Sequence, residues 1–156
     1  MEGMPFIELL YSTSMHRRIQ HICFADDDPD DQLIFVTVMK ENFPFIKVET
    51  FYHCNALLKF LNDEINPLPD MIFLDLNMPG NDGNACLQLL KETARLMNIP
   101  VVMYSTSAYE RDIMKSMNQG AYKYIVKPTS FQEIKERLDE VFLAYSESGD
   151  HVQEDS

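Results

Sequence analysis

The chain has 156 residues, of which 46% are hydrophobic, and this is enough for one domain with a single core. Its formal net charge is -12, which disfavours nucleic acid and anionic membrane surfaces as partners because both present negative phosphates. No apolar run approaches the roughly 20 residues that a membrane-spanning helix needs. We therefore expect a soluble, cytoplasmic protein with no nucleic-acid or membrane partner.

The three cysteines, Cys23, Cys54 and Cys86, are far apart in the chain and show no metal-ligand spacing. Their number is odd, which does not favour a disulfide framework. For a cytoplasmic protein we expect them to be reduced thiols of the core.

The pattern of apolar and turn-forming residues predicts five strands, each followed by a helix. The expected strands are His21–Ala25, Lys47–Tyr52, Met71–Asp75, Pro100–Ser105 and Ala121–Val126. The expected helices that follow them are Pro29–Asn42, Asn55–Asn62, Asn84–Met97, Tyr109–Asn118 and Ser130–Tyr145. Asp28 is the expected N-cap before Pro29, Ser130 with Glu133 forms an expected capping box, and Gly120 follows the end of a helix.

This alternation predicts an α/β fold with parallel strands and right-handed crossovers. The expected architecture is a three-layer, flavodoxin-like (βα)5 doubly wound sheet in strand order 2-1-3-4-5. We expect one domain over residues 21–145, an N-terminal extension over residues 1–20, and an acidic tail without fixed structure over residues 146–156.

Polar residues fall at the C-terminal ends of four of the predicted strands, at the sheet edge where ligands of such folds bind. They are Asp26 and Asp27, Asp75, Ser105, and Lys127. Crowded carboxylates repel one another unless a cation joins them, and an all-oxygen set suits Mg²⁺. A metal, a lysine and a hydroxyl around one carboxylate can stabilise a transferring phosphoryl group, with Asp75 as the nucleophile.

These residues, taken together, resemble the receiver domain of two-component response regulators. The matching positions are Asp26-Asp27, Asp75, Met78-Pro79-x-x-Asp82-Gly83, Ser105, Tyr124 and Lys127-Pro128. The resemblance implies that Asp75 accepts a phosphoryl group from a sensor histidine kinase or a histidine phosphotransfer protein. It also implies that the protein catalyses only its own phosphorylation and dephosphorylation.

The resemblance assigns roles to the other matching residues. Asp26, Asp27, Asp75 and the backbone carbonyl of Asn77 would hold Mg²⁺, with Mn²⁺ as an alternative. Ser105 and Lys127 would contact the phosphoryl group, and Tyr124 would be an aromatic switch that turns inward as Ser105 moves. The Lys127–Pro128 peptide bond is expected to be cis.

We expect no output domain after Tyr145, so the resemblance is to single-domain regulators. Such a protein is expected to signal by docking to a downstream protein partner or by relaying phosphate. Pairing of two copies through the fourth helix, fifth strand and fifth helix is a further expectation. The apolar width of the first helix, at Leu33 and Val36, suggests a docking face for the donor's helical bundle, or else only a wide core face.

Other interpretations stay open. A pseudo-receiver would keep the fold as an interaction module without phosphorylation. An aspartyl-phosphate phosphatase would need a second Asp two positions after Asp75, where Asn77 stands. A flavin mononucleotide carrier would need a phosphate-binding loop where Asp26 and Asp27 would repel phosphate. Tyr124 could serve packing alone.

Overall fold

The computed structural model describes residues 18–78 and 80–148. The strands of its main sheet are β1 (His21–Ala25), β2 (Lys47–Phe51), β3 (Met71–Leu74), β4 (Val101–Ser105) and β5 (Lys123–Val126). The helices are α1 (Pro29–Asn42), α2 (Cys54–Asn62), α3 (Gly83–Glu92), α4 (Glu110–Asn118) and α5 (Phe131–Ser148). The predicted segments outside these residues, 1–17 and 149–156, lie outside the described part of the chain.

The main sheet is parallel throughout, in the order β2-β1-β3-β4-β5. This is the predicted flavodoxin-like order, and the fold class is confirmed. One element was not expected, namely a two-stranded antiparallel ladder that pairs Asn77–Met78 with Asn81–Asp82 just after β3. The three central strands are buried along their whole length, as a parallel sheet covered by helices requires.

The sheet separates two hydrophobic clusters because successive side chains of a strand point to opposite faces. On one face, Phe24 and Phe73 pack with Phe35 of α1 and Phe142 of α5. On the other face the cluster joins β1, β3 and β4 to α2 and α3 through Cys23, Ile72, Met103, Leu57 and Leu87.

The helix caps agree with the sequence analysis. Asp28 accepts hydrogen bonds from the amides of Asp30 and Asp31, which fixes the first turn of α1. Ser130 accepts from the amide of Glu133 before α5, and Gly120 has a φ of 99° just after α4.

Two predicted helix ends were wrong. The third helix was expected to reach Met97, but α3 ends at Glu92. Lys91 donates to the carbonyls of Met97 and Ile99, which holds the next residues in turns, and Leu96 is fully buried there. The last helix runs three residues past the predicted Tyr145, to Ser148.

The expectation of three reduced thiols was also wrong. Cys54 and Cys86 form a disulfide that joins the first turns of α2 and α3, with their Cα atoms 5.9 Å apart. Cys23 is the free, buried cysteine of the described chain. No described helix is long and apolar enough to cross a bilayer.

Candidate functional site

Hydrogen bonds between neighbouring strands extend past the strand ends and fix the backbone of the three predicted site positions. The amide of Asp26 donates to the carbonyl of Phe51 (3.0 Å), and the amide of Asp75 donates to Ala25 (2.9 Å). The amide of Lys127 donates to the carbonyl of Ser105 (2.7 Å). The side chains that follow β1, β3 and β5 therefore meet at one edge of the sheet.

Asp26 is fully buried and has two partners for its carboxylate. Oδ1 accepts from the amide of Asp28 (2.9 Å), and Oδ2 accepts from Nζ of Lys127 (2.7 Å). The buried amide of Gln32 donates from Nε2 to the carbonyls of Asp26 and Phe51, both at 2.8 Å. This side chain ties the ends of β1 and β2 together and holds Asp26 in place.

Three carboxylates converge at this edge. Asp26, Asp27 and Asp75 each offer an oxygen, and these oxygens lie within 4.8 Å of one another. Burial raises the pKa of Asp75, the charge of Lys127 opposes this rise and the charge of Asp26 adds to it, and together they bring the pKa from 3.8 to about 6. Burial likewise raises the pKa of Asp26. A divalent cation with oxygen preference fits this donor set, since it removes the repulsion that disfavours the ionised acids.

Lys127 is the cation of this site. Its Nζ donates to Oδ2 of Asp26 and Oδ2 of Asp31, both at 2.7 Å, and lies 3.7 Å from Oδ2 of Asp75. Burial alone would lower the pKa of this ammonium, but the hydrogen bonds to Asp26 and Asp31 and the charge of Asp75 outweigh burial, and the pKa is raised. The side chain crosses the ring of Tyr104, 5.7 Å from its centroid.

Ser105 is fully buried at the end of β4 and is linked to Asp75 through Asn77. The amide of Asn77 donates to Oδ1 of Asp75 (3.3 Å), and its side-chain Nδ2 donates to Oγ of Ser105 (3.4 Å). The same Oγ accepts from the amide of Ser107 (3.1 Å). The hydroxyl of Tyr124 donates to the carbonyl of Ser107 (2.8 Å), so this tyrosine is connected to the site through one loop.

Gly83 allows the loop after β3 to close behind Asp75. A Cβ at this position would lie 2.3 Å from the carbonyl oxygen of Asp75 and 2.6 Å from Cα of Leu76. The amide of Gly83 donates to the carbonyl of Leu76 (2.9 Å), and Asp82 caps α3 by accepting from Asn84. Backbone this close leaves no room for a side chain at position 83.

The structure brings together Asp26, Asp27, Asp75 and Lys127, with Ser105 joined to them through Asn77. The expected cis peptide bond was wrong, because Lys127–Pro128 is trans and no described peptide bond is cis. A trans bond is the favoured form before proline by about 0.5–1 kcal/mol, and with it Lys127 already reaches Asp26. The metal ligation by the carbonyl of Asn77 stays a prediction.

Sequence reasoning missed two residues of this site, Asp31 and Gln32. Both lie in the first turn of α1, directly after the acids that end β1. Asp31 is the third residue of the helix that the N-cap Asp28 begins, so it stays close to the end of β1. Its place in an acidic first turn directly after Asp26 and Asp27 was the available signal for Asp31, and no sequence signal pointed to Gln32.

The profile of the response regulator receiver domain matches residues 22–139. The phosphate regulon transcriptional regulatory protein PhoB of Klebsiella pneumoniae is 32% identical over 132 residues, which cover 85% of this chain and 54% of that protein. The chain thus spans about half the length of that relative. Chemotaxis protein CheY-3 of Vibrio cholerae is 34% identical over 124 residues, 67% of this chain and 95% of that protein.

Two solved structures are similar over nearly their whole length. The phosphorylated cyanobacterial phytochrome response regulator RcpA has a TM-score of 0.71 and 29% identity, covering 80% of this chain and 94% of that one. The Mn(2+)-bound form of response regulator Rcp1 has a TM-score of 0.69 and 27% identity, covering 75% of this chain and 90% of that one.

Proposed function

Because the chain belongs to the response regulator receiver family, we propose that it is a phosphoacceptor signalling domain in which Asp75 takes a phosphoryl group from phosphohistidine. The donor would be a sensor histidine kinase or a histidine phosphotransfer protein. The observation that carries the proposal is the surroundings of Asp75, whose carboxylate lies among those of Asp26 and Asp27 and 3.7 Å from Nζ of Lys127. Once a divalent cation neutralises the acids, such surroundings suit an arriving phosphoryl group better than they suit a structural acid.

In the transfer, an oxygen of Asp75 bonds to phosphorus while the P–N bond to the donor imidazole breaks. The imidazole nitrogen keeps the electron pair and takes a proton from solvent. Lys127 would compensate the negative charge that reaches the site. Ser105 accepts in both of its hydrogen bonds to described residues, so its own O–H can donate to a phosphoryl oxygen.

A divalent cation would complete the site. We propose that Asp26, Asp27 and the backbone carbonyl of Asn77 hold Mg²⁺, or Mn²⁺ in its place, because every donor in the set is an oxygen. When bound, the ion neutralises charge on the carboxylates and on the phosphoryl oxygens. The Mn(2+)-bound form of the similar regulator Rcp1 supports a cation in this family.

We propose that Tyr124 is the switch residue that couples phosphorylation of Asp75 to a change at the protein surface. Its hydroxyl is held by the carbonyl of Ser107, and Ser107 also contacts Ser105 through its amide. Movement of Ser105 toward a phosphoryl group would displace Ser107 and release Tyr124. The face made by α4, β5 and α5 would then change, which suits a downstream protein partner or a second copy of this chain.

The donor would dock beside the site on α1. Leu33 is 66% exposed there, and Ile34 next to it is also exposed, whereas the predicted Val36 is half-buried. An apolar pair one turn beyond the acids suits the apolar side of a helical bundle. We place the protein in the cytoplasm, where ATP-dependent kinases work, although the Cys54–Cys86 disulfide is unusual for that compartment.

The test is intact-mass spectrometry after incubation with acetyl phosphate, with and without Mg²⁺. We expect one phosphate adduct that needs Mg²⁺ and is absent from Asp75→Asn and reduced in Asp27→Ala. An unmodified wild type, under conditions where a control receiver is labelled, would refute phosphorylation and leave the pseudo-receiver function.

A further inference from the structure

A second group of side chains of the types that ligate metals lies at the start of β1 and is separate from the acidic site. His21 and Cys23 are two positions apart on β1, so their side chains share one face of the sheet. Glu49 of β2 stands opposite Cys23 in the parallel register. The ligand atoms of His21, Cys23 and Glu49 lie within 4.8 Å of one another. A nitrogen, a sulfur and an oxygen thus converge from two adjacent strands.

We propose that His21, Cys23 and Glu49 form a Zn²⁺ site. Imidazole and thiolate are the ligands that favour zinc over magnesium, and three protein ligands with one solvent molecule is a common zinc arrangement. The acidic site of Asp26 and Asp27 has only oxygen donors, so the two groups select different ions.

The present contacts need little change to accept the ion. Nε2 of His21 and Oε2 of Glu49 are 2.7 Å apart, and two ligands of a tetrahedral zinc, each bonded at about 2.0–2.2 Å, would lie only slightly farther apart. The other oxygen of Glu49 pairs with the exposed Lys47 at 3.3 Å, which leaves Oε2 for the metal. The ring of Phe60 packs edge-on against His21, with centroids 6.4 Å apart, and limits its movement.

The three side chains differ in solvent exposure, and this suits a metal ion with one coordination position open to solvent. Cys23 is fully buried, the side chain of His21 is 11% exposed, and that of Glu49 is 24% exposed. Among the described residues, the site is therefore most open to solvent on the side of Glu49. On binding, the Cys23 thiol and Nε2 of His21 would each give up a proton to solvent, and Nδ1 of His21 would carry the ring proton. Two metal bonds would then replace the His21–Glu49 hydrogen bond.

The experiment uses the full chain under anaerobic conditions, with the Cys54–Cys86 disulfide intact and excess Mg²⁺ present to occupy the acidic site. Co²⁺ is added as a spectroscopic substitute for Zn²⁺. We expect a thiolate-to-cobalt charge-transfer band at one equivalent that disappears when Zn²⁺ is added. Cys23→Ala should lack the band, whereas the control variant with both Cys54→Ala and Cys86→Ala should keep it.

Affinity and stability give the second readout, measured by indicator competition and thermal unfolding. Glu49→Gln keeps the shape of the side chain and should weaken Zn²⁺ binding by more than the roughly 10–100-fold that loss of an outer-shell partner costs. Zn²⁺ should raise the Tm of the wild type but not that of Cys23→Ala. A wild type without the band, or a Cys23→Ala variant that keeps it, would overturn the proposal. Neither result depends on phosphorylation of Asp75.

Discussion

Lys127 donates a hydrogen bond of 2.7 Å to Asp31, while its nitrogen stays 3.7 Å from Asp75. The lysine that would pair with a phosphoryl group is therefore shared with a carboxylate from the first turn of α1. A phosphoryl group that reaches Asp75 has to compete with Asp31 for this ammonium. In the unphosphorylated protein, Asp31 thus holds Lys127 away from the position in which it would contact a phosphoryl group on Asp75.

Replacing Asp31 by asparagine should strengthen binding of beryllofluoride, a stable mimic of the phosphoryl group. Asp31→Asn keeps the shape but removes one of the two carboxylates that hold Lys127, and a net change of about 1 kcal/mol corresponds to roughly fivefold tighter binding. Fluorescence or calorimetric titration measures it. Asp30→Asn, an exposed position in the same turn, makes the same charge change and is the control. Equal or weaker binding by Asp31→Asn would contradict the competition.

The ionisation of Asp75 should make stability depend on pH when chelator keeps metal away. Burial raises the pKa of this carboxyl from 3.8 to about 6, so the folded chain holds the proton more tightly than the unfolded chain. The protonated carboxyl of Asp75 therefore stabilises the folded chain fully below about pH 4, and this contribution is lost as the pH rises through about 6. Asp75→Asn cannot ionise, and its advantage over wild type should grow to about 3 kcal/mol above pH 7.

Urea unfolding of both proteins between pH 5 and pH 8 measures this difference. Asp30→Asn, which removes an exposed carboxyl from the first turn of α1, is again the control. A difference between Asp75→Asn and wild type that stays constant across the range would show that the carboxyl is not disfavoured by its surroundings. Added Mg²⁺ should shrink the difference, because it stabilises the ionised wild type.

Adding one methyl group at Gly83 should damage both the fold and the site. The Cβ of Gly83→Ala would lie 2.3 Å from the carbonyl oxygen of Asp75, and the loop would have to move. We expect a loss of about 3 kcal/mol or more in the free energy of unfolding, with slower phosphorylation. Gly80→Ala is the matched control, because a Cβ there meets no atom within 4 Å and costs only the strain of its φ of 76°. Equal effects at the two positions would contradict the close approach.

The disulfide between Cys54 and Cys86 should contribute measurably to stability. It closes a loop with a sequence separation of 32, for which chain entropy gives about 3–4 kcal/mol. Reduction of the wild type should lower its urea midpoint toward that of the variant with both Cys54→Ala and Cys86→Ala. Thiol titration of the purified, unfolded protein should find one free thiol, Cys23, before reduction. Three free thiols before reduction would contradict the bond.

The sheet and the site could be predicted because their signals are local. Apolar runs such as Met71–Leu74 end at polar residues, and in a parallel sheet the carboxyl ends of the strands lie at one edge. That is enough to bring Asp26, Asp75 and Lys127 together. Asp28 and Ser130 mark helix starts for an equally local reason, since each caps the next turn.

The features that were missed depend on side-chain contacts between distant parts of the chain. The Cys54–Cys86 disulfide follows from how α2 and α3 pack, which no spacing of two cysteines indicates. The hydrogen bond between Lys127 and Asp31 depends on the rotamers that these two side chains adopt within a crowded site. The end of α3 at Glu92 is set by turns beyond it rather than by a breaking residue.

The most direct test of the central claim locates the phosphoryl group on the chain. Borohydride reduces an aspartyl phosphate to homoserine, and peptide mass spectrometry then reads the position. After incubation with a phosphoryl donor and Mg²⁺, we predict homoserine at Asp75 and at no other acid. Homoserine at Asp26 or Asp27, or at no position in a chain that carries phosphate, would contradict the assignment of Asp75 as the acceptor.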